Sequence, residues 1–272
     1  MKRTRIAALI ALGVLALCPF ATSQTQPSPD AQAAPAKELT LDLGNEVTLK
    51  VVLVPAGKFL MGSPEGEKDR NPDEGPQHEV TLSKPFYVGV CEVTQLQYQA
   101  VMGKNPAESK SHDVPVVSVS WNDAAEFCVK ASAKTGKAVS LPTEAQWEYA
   151  CRAGGKTRFC CGDDNGGEAM CEYAWCARNT GGVTRPGGQK KPNAWGLYDM
   201  HGNVWEWCSD WYAPYAGVAA VDPKGPDSGT HRVLRGGSWD SDPPECRSAS
   251  RLWILPADRS VGYGFRIAVG VK

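Results

Sequence analysis

The sequence predicts an α+β fold with few regular elements, and three observations carry this prediction. Three segments begin with a helix-capping residue and end at a glycine, and short β-rich runs precede them. After Gly154 the periodicity largely disappears, and Gly, Pro, Asn and Trp become frequent. A chain of 272 residues with 42% apolar content can bury one large core or two smaller ones. The sequence shows no internal repeat and no second domain boundary.

The three predicted helices share one pattern of start and stop signals. A Ser or Thr side chain can accept a hydrogen bond from the first turn, and a glycine supplies a left-handed end. The helices run from Thr94 to Met102 before Gly103, from Ser120 to Gly136, and from Thr143 to Gly154. In the second helix, helical spacing relates Trp121, Ala125, Cys128, Val129 and Ser132, and in the third Trp147, Ala150 and Cys151. We interpret all three as core-packing elements.

The strands are predicted mostly in the first ninety residues. Leu39–Leu43 and Val47–Val54 are β-rich and are separated by a turn, and Glu79–Leu82 and Phe86–Val90 form a further pair. The segment Pro64–Gln77 is too hydrophilic to be core. Later apolar runs are short, such as Phe265–Val269. Long irregular segments in a compact domain are typical of functional loops or of local cross-links.

The N-terminus has the composition of an export signal. A basic stretch precedes the apolar run Ile6–Leu17, and the small residues of Ala21–Ser23 offer a cleavage site. The run is shorter than the roughly 20 residues that a spanning helix needs. Cys18 would also permit a lipoprotein, but the bulky Leu17 before it argues against that interpretation. We expect a signal peptide at 1–23, a flexible leader at 24–38 and a domain at 39–272. The mature protein would be periplasmic or extracellular, without a transmembrane segment.

Nine cysteines remain after the predicted cleavage, and an odd number leaves at least one of them outside any internal pair. In an oxidising compartment most should form disulfides. Four of them lie within seventeen residues: Cys160, Cys161, Cys171 and Cys176. A locally cross-linked loop and a zinc site are both possible there. The spacing lacks paired C-x-x-C motifs, which favours disulfides.

Five motifs in a fixed order give the chain a family resemblance. They are Leu141–Glu148, Gly202–Trp207, Arg232–Trp239, Cys246–Arg251 and Gly264–Arg266. With them the chain resembles the formylglycine-generating enzymes, also called sulfatase-modifying factors, from about Val54 to Ala268. The resemblance implies an α+β, C-type-lectin-like fold with little regular secondary structure.

The same resemblance implies a structural calcium ion at the segment Asp199–Glu206. Carried over residue by residue, its ligands are the side chains of Asp199 and Glu206 and the backbone carbonyls of Gly202 and Val204. Calcium takes six to eight hard oxygen ligands and accepts backbone carbonyls, so the donor set suits it. The alternative is a tight turn stabilised by the Asp199 side chain, with Glu206 in solvent.

Family enzymes oxidise a peptidyl cysteine with oxygen, using Cu(I) held by two thiolates, and here the first thiolate position is Ser241. Counting from Gly236 places Cys246 at the second position, whereas counting back from Arg247 moves Cys246 off it by three residues. A hydroxyl does not replace a soft thiolate on Cu(I). Cys208 is a conceivable second ligand, but we favour Cys246 as a half-disulfide or a buried thiol.

Ser238 and Trp205 would lie at the family's peptide-binding cleft. Three function classes remain: an exported non-oxidase that binds a peptide, glycan or envelope component; a copper oxidase with an altered ligand set; and another enzyme on this scaffold. The third would need an iron site, and the sequence offers no paired histidine motif for one. The 29 basic and 30 acidic side chains argue against a nucleic-acid partner. The sequence favours the first class, with a protein, peptide or glycan as ligand.

Overall fold

The three helices depend on interactions between residues close in sequence, and all three lie where the sequence predicts them. This computed structural model describes residues 37–164 and 167–271. Within those ranges the helices are α1 (Gln95–Met102), α2 (Trp121–Thr135) and α3 (Glu144–Arg152). The side chains of Thr94, Ser120 and Thr143 each accept a hydrogen bond from the third backbone N–H of their helix. Each cap satisfies a donor that has no partner inside the helix.

The N-terminal predictions fall outside these ranges. The signal peptide predicted at 1–23 and nearly all of the leader predicted at 24–38 lie among residues that the structure does not describe, so both stay predictions. In the described part of the chain, no helix is long and apolar enough to cross a membrane.

Twelve short strands complete the regular structure of the described residues. They are β1 (Glu38–Asp42), β2 (Thr48–Val54), β3 (Gly57–Met61), β4 (His78–Leu82), β5 (Phe86–Gly89), β6 (Val139–Ser140), β7 (Trp205–Trp211), β8 (Ala220–Val221), β9 (Arg232–Arg235), β10 (Leu252–Ile254), β11 (Tyr263–Gly264) and β12 (Ala268–Gly270). They form a five-stranded sheet in the order β1-β2-β5-β12-β6, a four-stranded sheet β10-β9-β7-β11 and a three-stranded sheet β3-β4-β8. Adjacent strands are antiparallel except β11 with β7 and β4 with β8.

The predicted pairing of the third and fourth strand segments is wrong. β4 pairs with β3 and β8, whereas β5 pairs with β2 and β12 in another sheet. Between them, the backbone and hydroxyl of Ser83 donate to the Asp222 carboxylate next to β8. Because of this contact, the segment between β4 and β5 does not form a hairpin turn.

The buried face of α2 is also rotated from the predicted one. Val129, predicted to be buried, is 70% exposed, and the core face carries Phe127 instead. Phe127 stacks on Tyr98 with ring centroids 5.8 Å apart and meets Phe265 edge-on at 5.2 Å. The aromatic contacts decide the orientation, because Phe127 buries far more apolar surface than Val129 could.

The core is divided between two large clusters and two small ones among the described residues. The first contains Tyr98, Phe127 and Phe265, and the second is built around Trp147. The third cluster consists of Phe159, Met170, Ala174, Cys176 and Cys246, with Cys161 and Cys171 packed against it.

The polar segment 64–77 is partly core, contrary to the sequence prediction. Glu74 is fully buried, and its two carboxylate oxygens accept from the Arg247 guanidinium at 2.7 and 2.5 Å. Arg247 also donates to Glu67 at 2.7 Å and to the Asp69 carbonyl at 2.6 Å. Burial raises the pKa of the Glu74 carboxyl, but Arg247 outweighs it and holds that pKa below its usual range. An ion pair made across the fold is therefore what buries this hydrophilic segment.

We predict that Arg247→Met lowers the free energy of unfolding by about 3–5 kcal/mol, because it leaves the Glu74 charge buried without a partner. The matched control is Lys58→Met, which removes an exposed 2.8 Å pair with Glu79 and should change stability by less than about 1 kcal/mol. Chemical denaturation of both variants measures the difference. Equal small losses would contradict a dominant role for the buried pair.

Candidate functional site

Two of the predicted site residues, Ser238 and Ser241, are brought together by a tight turn after β9, which we call the serine turn (residues 236–241). Gly236 and Gly237 turn the chain with φ of 104° and 79°, a region that favours glycine. The Ser238 hydroxyl then donates to Asp240 at 2.5 Å, and the hydroxyl oxygens of Ser238 and Ser241 lie 3.1 Å apart. Ser238 is 2% exposed and Ser241 is 4% exposed. The first thiolate position therefore holds a hydroxyl that is already engaged in hydrogen bonding.

Cys246, unlike these hydroxyls, belongs to an apolar environment: it is a fully buried thiol of the third core cluster. Burial, with Cys176 close by, raises the pKa of the Cys246 thiol well above its usual range. A Cβ added to Gly237 would come within 2.5 Å of the Cys246 sulfur, so that sulfur packs directly against the glycine turn. Cys208, the conceivable second ligand, belongs to the second core cluster instead. One hydroxyl and one buried neutral thiol do not fit Cu(I), which takes thiolates.

Trp205 is placed in the core rather than in a cleft. It is 7% exposed within the first cluster, and its backbone N–H donates to the Gly262 carbonyl at 2.8 Å. Trp239, next to Ser238 in the chain, does line an open cavity, and its indole N–H donates to the Val261 carbonyl at 3.2 Å. Ser238 adjoins Trp239 in the chain, whereas Trp205, the predicted cleft residue, lies in the first core cluster.

Trp239 lines a cavity of about 290 Å³, which we call the Trp239 cleft. Its apolar side includes Val117, Val183 and Val261, and its polar side includes Glu108 and Ser111. The cleft adjoins the serine turn, because Gly262 packs against Ser238, where an added Cβ would lie 3.4 Å from the Ser238 Cβ. A mainly apolar cavity with a few polar groups is typical of a ligand-binding site.

Asp199, a predicted calcium ligand, lies near a carboxylate that the sequence did not identify, Glu92. Asp199 is buried at φ 58°, and one of its oxygens accepts from the Gly188 N–H at 2.8 Å. Its Oδ1 has no hydrogen-bond partner among the described residues. The second carboxylate is Glu92, whose Oε1 accepts from Asn203 at 3.1 Å and whose buried Oε2 likewise has no partner there.

The pKa values of both carboxyl groups are raised. Burial raises the pKa of Asp199 to about 6, and burial together with the Asp199 charge raises the pKa of Glu92 well above its usual range. A Cβ added to Gly187 would lie 3.5 Å from Glu92 Oε2, so both acids border the Gly187–Gly188 turn. Two buried, incompletely satisfied carboxylates are costly unless a cation or a proton compensates them. The oxygen donor set fits calcium.

Glu206, the other carboxylate that the resemblance implies as a calcium ligand, is paired with a buried arginine. Both of its oxygens accept from the Arg266 guanidinium, at 2.6 and 2.7 Å, and Oε2 also accepts from the Trp147 indole at 2.8 Å. The Gly202 carbonyl, another predicted ligand, accepts from the Val204 N–H at 2.9 Å. Nowhere in the described ranges do three or more His, Cys, Asp or Glu side chains form a metal-binding group. A cation beside Asp199 and Glu92 would therefore rely on backbone carbonyls as well.

His201 connects the same turn to the cysteine-rich region. Its Nε2 accepts from the Cys160 N–H at 2.9 Å, which leaves the proton on Nδ1, and Nδ1 donates to the Cys246 carbonyl at 2.8 Å. His201 is almost fully buried. Its role is to hold two loops together, and no sequence motif indicated it.

Comparison with known proteins agrees with this architecture. The family described as "Sulfatase-modifying factor enzyme 1-like domain" matches residues 42–271. The formylglycine-generating enzyme of Streptomyces coelicolor is 34% identical over 284 residues, covering 80% of this chain and 88% of that protein. Serine/threonine-protein kinase pkn1 of Chlamydia caviae is 34% identical over 255 residues, covering 82% of this chain but only 38% of that protein.

A solved structure extends the agreement to the fold. Treponema denticola variable protein 1 has a TM-score of 0.78 and 30% identity, covering 85% of this chain and 98% of that one. The α+β fold expected from the five motifs is confirmed, and the match to the family spans nearly the whole described domain. The chain belongs to the formylglycine-generating enzyme, or sulfatase-modifying factor, family.

Proposed function

We propose that this chain is an exported, non-oxidase member of its family that binds a peptide, a glycan or another envelope component at the Trp239 cleft. The observation that carries the proposal is the Ser241 hydroxyl, which stands where the family places a copper thiolate and lies 3.1 Å from the Ser238 hydroxyl. The cleft beside it offers an exposed aromatic edge, an apolar wall and a carboxylate. Such a lining suits binding of an amphipathic ligand, and it supplies no redox centre.

The alternative is a copper-dependent oxidase that converts a peptidyl cysteine to formylglycine. It is favoured by the 34% identity to the Streptomyces enzyme and by the thiols of Cys171 and Cys176 close to Cys246. Against it stands the burial of Cys246, whose neutral thiol would first have to lose a proton in an apolar cluster. We therefore rank binding above oxidation.

We predict that the unmodified protein does not convert a Cys-x-Pro-x-Arg peptide to its formylglycine form. Ser241→Cys alone should not produce conversion either, because the Cys246 sulfur packs against Gly237 within the core cluster. The measurement is mass spectrometry of the peptide after incubation with Cu(I) and oxygen. Conversion by the unmodified protein would overturn the non-oxidase assignment.

Binding of the same peptide is measured separately, by fluorescence anisotropy with a labelled peptide. Trp239→Ala should weaken binding about tenfold, the effect typical of removing one central aromatic contact. The matched control is Trp253→Ala, since Trp253 is also partly exposed but stacks on Tyr212. Equal binding by both variants and the wild type would place the ligand elsewhere.

We further propose that a structural calcium ion binds beside the Gly187–Gly188 turn. Asp199 and the carbonyls of Gly202 and Val204 are retained from the family pattern, and Glu92 is added as the second carboxylate. The support for this assignment is the pair of buried oxygens, Asp199 Oδ1 and Glu92 Oε2, that lack partners among the described residues. Glu206, the remaining ligand that the family pattern implies, also fixes Arg266 next to the turn, since each of its oxygens accepts from that guanidinium.

We predict that calcium raises the melting temperature relative to a chelator, because an ion that binds only the native state stabilises it by mass action. Asp199→Asn and Glu92→Gln should each remove most of this increase, whereas the exposed control Glu79→Gln should keep it. Glu206→Gln should lower the melting temperature with and without calcium, since it deprives Arg266 of its partner. Identical melting curves of the wild type in calcium and in chelator would eliminate the site.

Export is proposed from the N-terminal sequence, with Lys2, Arg3 and Arg5 ahead of the apolar run. We predict that the mature protein begins near Gln24 and accumulates outside the cytoplasm. N-terminal sequencing of the protein recovered from the cell fractions measures both. An intact Met1, or a lipid on Cys18, would contradict this assignment.

A further inference from the structure

Four cysteines lie together behind the serine turn, and two of them are in contact. Cys176 and Cys246 belong to the third core cluster, with Cys161 and Cys171 packed against it. The sulfur atoms of Cys171 and Cys176 are 3.7 Å apart. All nine cysteines in the described ranges are free thiols in this structure, so the pairing of most of them that the sequence predicts is not seen.

The turn that joins Cys171 to Cys176 is held by a side chain other than the cysteines. The Asn179 amide donates to the carbonyls of Cys171 and Ala174 at 3.1 and 3.0 Å, and its oxygen accepts from the Cys176 N–H at 2.9 Å. These three bonds set the backbone of both cysteines independently of their sulfur atoms. The two thiols are therefore held near each other before any bond forms between them.

The same turn is attached to the serine turn by two hydrogen bonds. The Ala177 N–H donates to the Ser241 carbonyl at 3.0 Å, and the Thr180 hydroxyl donates to the Trp239 carbonyl at 2.9 Å. Whatever stiffens residues 171–180 must also restrict residues 239–241. The segment that carries the cysteine pair therefore contacts the wall of the Trp239 cleft.

We propose that Cys171 and Cys176 form a disulfide that fixes residues 171–180 against the serine turn, while Cys246 stays a reduced, buried thiol beside it. Bond formation requires the sulfur atoms to approach to about 2.05 Å. The two thiols together lose two protons and two electrons, and a disulfide-bearing oxidant such as oxidised glutathione takes them up to become two thiols. The inference goes beyond the proposed function, because it holds whichever ligand the cleft binds.

Solvent exposure favours a disulfide between Cys171 and Cys176 over one that includes Cys246. Cys171 is partly exposed, so a soluble oxidant can reach its sulfur, whereas Cys246 is fully buried against Gly237. Burial and the neighbouring Cys176 raise the pKa of Cys171 to about 11, so its thiolate is scarce at neutral pH. The exchange should therefore accelerate as the pH rises towards that value.

The first test maps the bond in the full chain after treatment with oxidised glutathione. Free thiols are alkylated, and the protein is cleaved after Glu172, which stands between the two cysteines. We expect a linked pair of peptides that is lighter by two hydrogen atoms than the sum of the two reduced peptides. Alkylation of both thiols, or a bond from either one to Cys161 or Cys246, would overturn the proposal.

The second test measures amide hydrogen exchange in the oxidised and the reduced wild type, which avoids any variant that fails to fold. Closing the six-residue loop should slow exchange at Ala177 roughly tenfold. Cys171→Ser should exchange like the reduced protein under both conditions. Cys128→Ser, the control at a buried thiol on α2, should keep the difference. Equal exchange in the oxidised and the reduced wild type would show that the bond does not restrain the turn.

Discussion

The ion pair between Arg266 and Glu206 is the contact on which the rest of this fold depends. Both side chains are fully buried, so each charge needs a complete set of partners. Arg266 donates to both Glu206 oxygens and also to the carbonyls of Gly89 and Tyr198, at 3.0 Å each. Trp147 supplies a further donor to Glu206. One guanidinium thereby joins the end of β5, the turn before Asp199, the start of β7 and, through Trp147, helix α3.

Buried ion pairs between an arginine and a glutamate recur along the C-terminal part of the chain. Arg235, Arg247 and Arg251 reach Glu148, Glu74 and Glu144, all of them contributed by earlier segments. Each guanidinium also binds backbone carbonyls of irregular loops, such as those of Ala249 and Ser250 for Arg235. Regular elements are short here, so loop carbonyls lack ladder partners, and buried arginines provide the donors that sheets and helices would otherwise supply. This explains how a chain with so little periodicity after Gly154 still has a fixed structure.

The candidate site inherits its geometry from that framework. Arg235 holds the end of β9, and the next residues are the two glycines that turn the chain into Ser238. Family enzymes hold copper with thiolates at this point, whereas here two hydroxyls face each other and the thiols lie behind them in the third core cluster. This arrangement is the physical basis of our proposals that the cleft binds a ligand and that two of the thiols form a cross-link.

The sequence by itself determined the features that depend on neighbouring residues. Helix starts followed from Thr94, Ser120 and Thr143, because a cap bonds to an N–H three residues away. Five ordered motifs were enough to identify the family. The sequence also showed that Ser241 occupies the position of the family's first thiolate, because that position is found by counting a few residues from Gly236 and Gly237.

The tertiary structure alone decided which distant groups meet. Glu92 and Asp199 border the same Gly187–Gly188 turn, and Glu74 is buried in its ion pair with Arg247. On α2, Phe127 rather than Val129 faces the core. Trp239 lines a cavity, whereas Trp205 packs in the first core cluster. Each outcome depends on a contact between segments far apart in the chain. The free energy of burying a charge or a ring is set by the partners that it meets in that contact. Local sequence patterns carry no information about such partners, so only the assembled fold could name them.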